Sequence, residues 1–204
     1  RYFADRDAAA LSLLPDGFLE EHGIELKLGT RAEHIDRRAR TVRTDSGETL
    51  HYDKLVLATG SYPFVPPIDG NDRDHCFVYR TIEDLDAIIA AGEGARVGAV
   101  VGGGLLGLEA AKALHDLGLE THVVEFAPRL MAVQVDDAGG GLLRDKIQDL
   151  GVTVHTGTGT RAIVDGQDHR HRMDFGDDRH LETDLIVFSA GIRPQDTLAR
   201  ECGL

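Results

Sequence analysis

The stretch VVGGGLLGLEAAKALHDLGLETHVVE, residues 100–125, carries a glycine-rich turn from an apolar strand into a helix, then a second strand ending in an acid. Gly102, Gly104 and Gly107 form G-x-G-x-x-G, with Gly103, Leu105 and Leu106 between them. In such a turn the first glycine makes the tight bend, the second admits a pyrophosphate to the backbone, and the third lets the helix pack closely on the strand. The helix then points unpaired N–H groups and the positive end of its dipole at the phosphates. Glu125 lies 23 residues after Gly102, where a carboxylate accepts hydrogen bonds from adenine-side ribose hydroxyls. The flanks agree. Val97 to Val101 is apolar, Leu105, Leu108, Ala111, Ala113 and Leu114 recur at helical spacing, and Thr121 to Glu125 supplies the next strand. The pattern predicts dinucleotide binding within a βαβ unit.

Composition narrows the classes. With 204 residues and 42% apolar content, the chain can bury one large or two small cores. A net charge of −13 argues against a nucleic-acid partner, which needs a basic face, and against anionic lipid. No apolar run reaches the length of a membrane span and no leader opens the sequence, so the expectation is a cytoplasmic protein without membrane contact. Cys76 and Cys202 belong to no C-x-x-C, and G-x-S-x-G is absent, so neither a metal ligand set nor a catalytic triad is predicted. His169 and His171 flank Arg170 in a polar segment, which reads as a solvated loop.

The opening residues begin with neither a strand nor a glycine turn, so the expectation is a fragment of a longer α/β protein. Ile24 to Leu28 reads as a short strand and Ala32 to Asp36 as extended chain. Thr41 to Thr44 and Thr49 to Tyr52 flank Asp45-Ser46-Gly47 as a hairpin, and Lys54 to Ala58 reads as a buried strand running into Thr59-Gly60. Pro63, Pro66 and Pro67 enforce a stiff extended connection. Thr81 with Asp84 resembles a capping box for a helix from Ile82 to Ala91, which stops at Gly92. From Ala95 the order is βαβαβ, an antiparallel meander (162–164, 172–175, 180–182), and a returning strand from Leu185 to Ser189. The fold class is therefore α/β: a Rossmann-like domain with a parallel sheet and a meander, spanning 93–193, preceded by a partial α/β domain at 1–92 and followed by its return at 194–204.

Four segments, LATGSYPFVPP at 57–67, FVYRTIEDLDAI at 77–88, GGGLLGLEAA at 102–111 and SAGIRP at 189–194, occur in an order that resembles the two-dinucleotide flavoprotein reductases of the pyridine nucleotide-disulfide oxidoreductase-like superfamily. Within it the chain is most similar to the flavoprotein module of the large subunit of assimilatory NAD(P)H-dependent nitrite reductases. SYPFVPP, CFVYRT, HVVEFAPRLM with Gln134 and Asp136, and VFSAGIRP carry that likeness. The resemblance implies an NADH domain inserted in an FAD domain, with hydride passed from nicotinamide to flavin and on to a downstream redox domain or an electron-acceptor protein. It implies FAD and NADH as cofactors, with NADPH possible. Siroheme and a 4Fe-4S cluster would belong to a downstream part. The first FAD glycine motif is expected ahead of Arg1 and the late flavin-binding Gly-Asp segment beyond Leu204.

By the same resemblance Thr59 and Gly60 lie beside the FAD pyrophosphate, and Gly191 lets nicotinamide approach the flavin. Glu109 sits near the flavin and the nicotinamide ribose, or else only complements the start of its helix. Arg129 covers the adenine, meets a 2′-phosphate, or is a surface arginine. Arg80 touches the FAD edge or ties its loop to the next helix. Hydride chemistry belongs to the cofactors, so no catalytic side chain is expected. A rubredoxin or ferredoxin reductase, an NADH oxidase, and a non-catalytic nucleotide-binding module are the alternatives.

Overall fold

The computed structural model describes residues 6–204, which divide into two compact units, Pro63–Arg193 and residues 6–62 with Pro194–Leu204. In the smaller unit a short helix, α1 (Phe18–Glu21), precedes a three-stranded antiparallel sheet of β1 (Ala32–Asp36), β2 (Thr41–Thr44) and β3 (Thr49–His51) in that spatial order. The β2–β3 turn closes as its sequence demands: Gly47, at φ 83°, donates its N–H to the Thr44 carbonyl. The C-terminal helix Thr197–Glu201 packs on β1, and Arg37 donates to the Gly203 carbonyl at 2.8 Å.

Two expected strands of this unit do not form. Residues 24–28 and 54–58 form no strand, and Leu26, Leu28 and Val56 lie exposed. An apolar run becomes a strand only where another strand satisfies its N–H and C=O groups, and among the described residues none runs beside these.

The chain enters the larger unit within β4 (Ser61–Pro63), then forms β5 (Cys76–Val78), α2 (Ile82–Gly92), β6 (Val97–Val101), α3 (Leu105–Asp116), β7 (Glu120–Val124), α4 (Asp137–Asp149) and β8 (Val152–His155). The meander follows as β9 (Ala162–Asp165), β10 (His171–Gly176) and β11 (Arg179–Thr183); β12 (Leu185–Phe188) returns to the main sheet, and β13 (Ile192–Pro194) pairs with β4. The main sheet is parallel, ordered β5-β12-β6-β7-β8.

Strand alternation sorts this unit into three layers. Val100, Val123, Leu185 and Val187 face one way and pack with Ile88 of α2 and Ala110, Ala111 and Leu114 of α3. Ala99, Val101, Val124, Ile186 and Phe188 face the other way and pack with Ile163, Met173 and Phe175 of the meander. Each fully buried aliphatic or aromatic side chain contributes roughly 1.5–3 kcal/mol by leaving water. That two-sided burial is why β6 and β12 carry unbroken apolar runs.

The expected domain boundary near Gly92 does not match the compact units. β5 pairs in parallel with β12, and α2 packs on the same core, so both belong with the nucleotide fold and the division falls at Tyr62/Pro63. The capping box forms as read: Asp84 N–H donates to Thr81 Oγ1, and Asp84 Oδ2 accepts from Thr81 N–H.

The His169–His171 segment is also not a solvated loop. His171 opens β10, buried, and its Nε2 lies 2.7 Å from the Asp74 carbonyl. His169 Nδ1 lies 3.0 Å from Asp184 Oδ1, while Asp184 Oδ2 accepts the N–H groups of Arg96 at 2.7 Å and Val97 at 3.0 Å. Asp184 thus fastens the meander's exit to the start of β6. Burial opposes its ionisation, but those donors and His169 outweigh it and hold the carboxyl below its ordinary range. A carboxyl depressed in the fold stabilises above its unfolded pKa, and that contribution is lost as pH falls through the folded value. Asp184→Ala is expected to cost about 1–3 kcal/mol at neutral pH, with the gap to wild type closing as pH falls from neutral through the folded pKa. Thermal melts across that range check this; equal melting temperatures at pH 7 would refute it.

Candidate nucleotide site at the glycine turn

Each glycine of the turn between β6 and α3 has a separate steric reason. A Cβ on Gly102, which sits at φ 120°, would lie 2.3 Å from the Ser189 carbonyl oxygen. One on Gly107 would fall on the Gly102 carbonyl, so the third glycine brings α3 against the strand end. One on Gly103 would lie 2.6 Å from Leu130 Cδ2. Gly104 is different: it caps α3, and nothing lies within 4 Å of where its Cβ would be. The backbone is laid open there, where a ligand phosphate needs approach. The helix start has no side-chain cap and no acid in its first turn, so its first N–H groups keep their donor capacity and partial positive charge.

Glu125 follows β7 and meets this turn. Its Oε2 accepts the Gly103 N–H at 2.5 Å, its Oε1 accepts the Ala127 N–H at 2.6 Å, and its own N–H donates to the His155 carbonyl at 2.8 Å. The carboxylate is fixed beside the glycines with lone pairs to spare for ribose hydroxyls. Behind it the rings of His122 and His155 stack, with Nδ1 and Nε2 3.1 Å apart. Burial pushes both imidazoles toward the neutral form. Leu105 and Leu106 stand exposed on the first turn of α3, and Phe126, next to Glu125, is 83% exposed with its ring by Gly159. Phe126 was not singled out from sequence, although an aromatic directly after the candidate acid Glu125 is a readable signal.

The remaining expected residues divide. Glu109 is exposed on the second turn of α3 and accepts from the Tyr79 hydroxyl at 3.4 Å. Arg129 is neither a free surface arginine nor turned loose toward a phosphate. Its Nε donates to Val135 O, its Nη2 to Ala132 O and its Nη1 to Asp137 Oδ1, clamping the loop into α4. Sequence spacing gave no sign of this, because the partners are mostly carbonyls. Arg80 donates its backbone N–H to Asp84 Oδ2, which joins its loop to α2. Gly191, at φ 110°, has open space at its Cβ position and accepts from Phe64 N–H. In the smaller unit Thr59 and Gly60 are exposed and pinned to Gln195, through Thr59 Oγ1 to Gln195 O at 2.5 Å and Gln195 N–H to Gly60 O at 2.9 Å. A separate polar cavity of about 410 Å³ lies beside His75, His169 and Asp184, before the starts of β5, β6 and β12. Ligands of open α/β sheets bind instead at the strands' carboxyl ends, where the glycine turn is.

Residues 4–204 match the family described as pyridine nucleotide-disulphide oxidoreductase. The chain belongs to that family. It is 59% identical over 203 residues to the nitrite reductase [NAD(P)H] large subunit of Klebsiella oxytoca, covering 100% of this chain and 21% of that protein. It is 55% identical over 204 residues to the nitrite reductase (NADH) large subunit of Escherichia coli (strain K12), covering 100% and 24%. Among solved structures, a ferredoxin reductase from Rhodopseudomonas palustris superposes with a TM-score of 0.91 at 29% identity, covering 100% of this chain and 50% of that one. The chain thus spans between a fifth and a quarter of the length of these two nitrite reductase subunits. Within the larger unit Phe64 and Gly191 join the two ends of its chain through one backbone hydrogen bond of 2.9 Å.

The steric difference between the glycines makes a sharp test. Gly104→Ala, at φ −81° in open space, is expected to leave the melting temperature within about 1–2 °C of wild type while lowering nucleotide affinity roughly tenfold or more. Gly102→Ala is expected to destabilise the fold itself, because its Cβ meets backbone. Calorimetric melts with NADH titration decide it. Unchanged affinity in Gly104→Ala would place the phosphates elsewhere.

Proposed function

We propose that this chain is the electron-input module of an NAD(P)H-dependent nitrite reductase large subunit, taking NADH at the glycine turn and serving an FAD held partly by the Thr59–Gly60 segment. The observation that carries the reading is the Glu125 carboxylate, tied to Gly103 and Ala127 N–H beside the open backbone of Gly104. It supplies a ribose acceptor and a phosphate cradle in one place. With both cofactors bound, the chemistry is hydride transfer from nicotinamide C4 to flavin N5. The chain's own residues bind and orient. The α3 amides receive the pyrophosphate, Glu125 accepts from ribose hydroxyls, and Gly191 leaves room where a side chain would stand. The 59% identity over the whole chain supports a nitrite reductase over a separate ferredoxin reductase or NADH oxidase, with siroheme and a 4Fe-4S cluster in another part of the full protein.

Glu125 repels a 2′-phosphate, and Arg129, engaged by Ala132, Val135 and Asp137, is poorly placed to offset it. NADH is therefore expected to bind better than NADPH by about 1–3 kcal/mol, a preference that Glu125→Ala largely abolishes. Titration of both nucleotides into wild type and variant checks this, and equal wild-type affinities would overturn it. The 204-residue chain carries one G-x-G-x-x-G, so it is expected to bind NADH yet lose FAD on purification. Stoichiometric retained flavin in the visible spectrum would contradict that. In the full-length protein, NADH-driven nitrite reduction tests the function itself.

A further inference from the structure

Glu109 has a partner that its place on α3 does not require. Tyr79, just past the end of β5, reaches across to it, the phenol Oη lying 3.4 Å from Glu109 Oε1. The tyrosine is well placed to hold something still. Its ring is half-buried against the core under α2 and α3, and the backbone that follows is locked by Arg80 and Thr81 N–H groups donating to Asp84. Burial first, and then the Glu109 charge and hydrogen bond, push the phenol up to about 12, so it remains a donor at any working pH. On α3 the cation nearest in register, Lys112, is engaged by Asp116 one turn on, with Nζ 2.5 and 2.6 Å from the two carboxylate oxygens. Glu109 is therefore an exposed acid, tethered by a phenol, on the second turn of the helix that starts at the open glycine.

The sheet order β5-β12-β6-β7-β8 puts Tyr79, after β5, on the opposite side of β6 from Glu125, after β7, so the Tyr79–Glu109 pair stands at the end of the site away from the ribose acceptor. We propose that Tyr79 is the positioning residue for Glu109: its hydroxyl holds the carboxylate at that far end, which the nicotinamide would occupy, where the fixed negative charge favours the cationic oxidised ring over the neutral reduced one. The inference rests on the dinucleotide reading given above and extends it to a residue of the YRT segment. A charge held near the nicotinamide acts on the two redox forms unequally, because NAD⁺ carries a ring charge and NADH does not. Any disturbance at the adenine end acts on both alike, since they share that end. The discrimination between redox forms is thus a measure of Tyr79 that a structural defect does not imitate.

The test uses the full-length flavin-loaded protein with NAD⁺ and its redox-inert tetrahydro analogue, whose ring is uncharged, so binding is read by calorimetry without turnover. In Tyr79→Phe, NAD⁺ affinity is expected to fall about three- to tenfold relative to the analogue, the size of one charge-assisted contact. Glu109→Gln should show a loss at least as large, and Tyr79→Phe added to Glu109→Gln should change the ratio no further. Stopped-flow reduction by saturating NADH should slow in both single variants. Each failure has its own signature. If Glu109→Gln shifts the ratio and Tyr79→Phe does not, the positioning role is overturned while the site stands. If Tyr79→Phe weakens both ligands equally, the residue is only part of the core and the proposal falls. If neither nucleotide form binds the wild type, the dinucleotide reading itself is wrong.

Discussion

The larger unit depends on one absent atom. At Gly107 the space for a Cβ is taken by the carbonyl of Gly102, so α3 lies against the end of β6 closer than any side chain would allow. This approach aims the first turn of α3 along the sheet's carboxyl edge and leaves Gly104 open. It also brings Gly103 N–H onto Glu125. Move the helix outward by the width of a methyl group and the turn no longer presents its amides and its acid to one ligand. The apolar layers on both faces of the sheet then hold that geometry, and the Asp184 link between meander and β6 fixes the third layer in register.

Most of this unit was legible because its signals are local. Gly-x-Gly-x-x-Gly, the capping box at Thr81 and the alternation in β9 to β11 each follow from a few neighbouring residues and a steric rule. The reading failed where the answer is non-local. Residues 24–28 and 54–58 have the composition of strands, but a strand needs a neighbour, and composition does not say whether one is there. The division between units was misplaced for the opposite reason. Cys76–Val78 is too short to announce which sheet it joins, and only its pairing with Ile186–Phe188 shows it.

The candidate site divides along the same line. The glycines and Glu125 stand where spacing placed them, since βαβ geometry fixes that spacing. Arg129 escaped because two of its three partners are backbone carbonyls brought round by a loop, and an arginine in sequence looks the same whether its donors face solvent or Val135 O. His171 escaped because a histidine in a polar run gives no hint that alternation along β10 turns it inward. The Tyr79–Glu109 contact joins positions 30 residues apart, and no local pattern encodes it.

The hydrogen bond from Phe64 to Gly191 brings together the two places where the larger unit meets the rest of the chain. A block whose ends already touch behaves as a cassette. Its insertion asks of the host only a gap of one strand spacing, and its closure entropy is met inside the block rather than by the host. Such a part can be grafted, exchanged or duplicated without refolding what surrounds it.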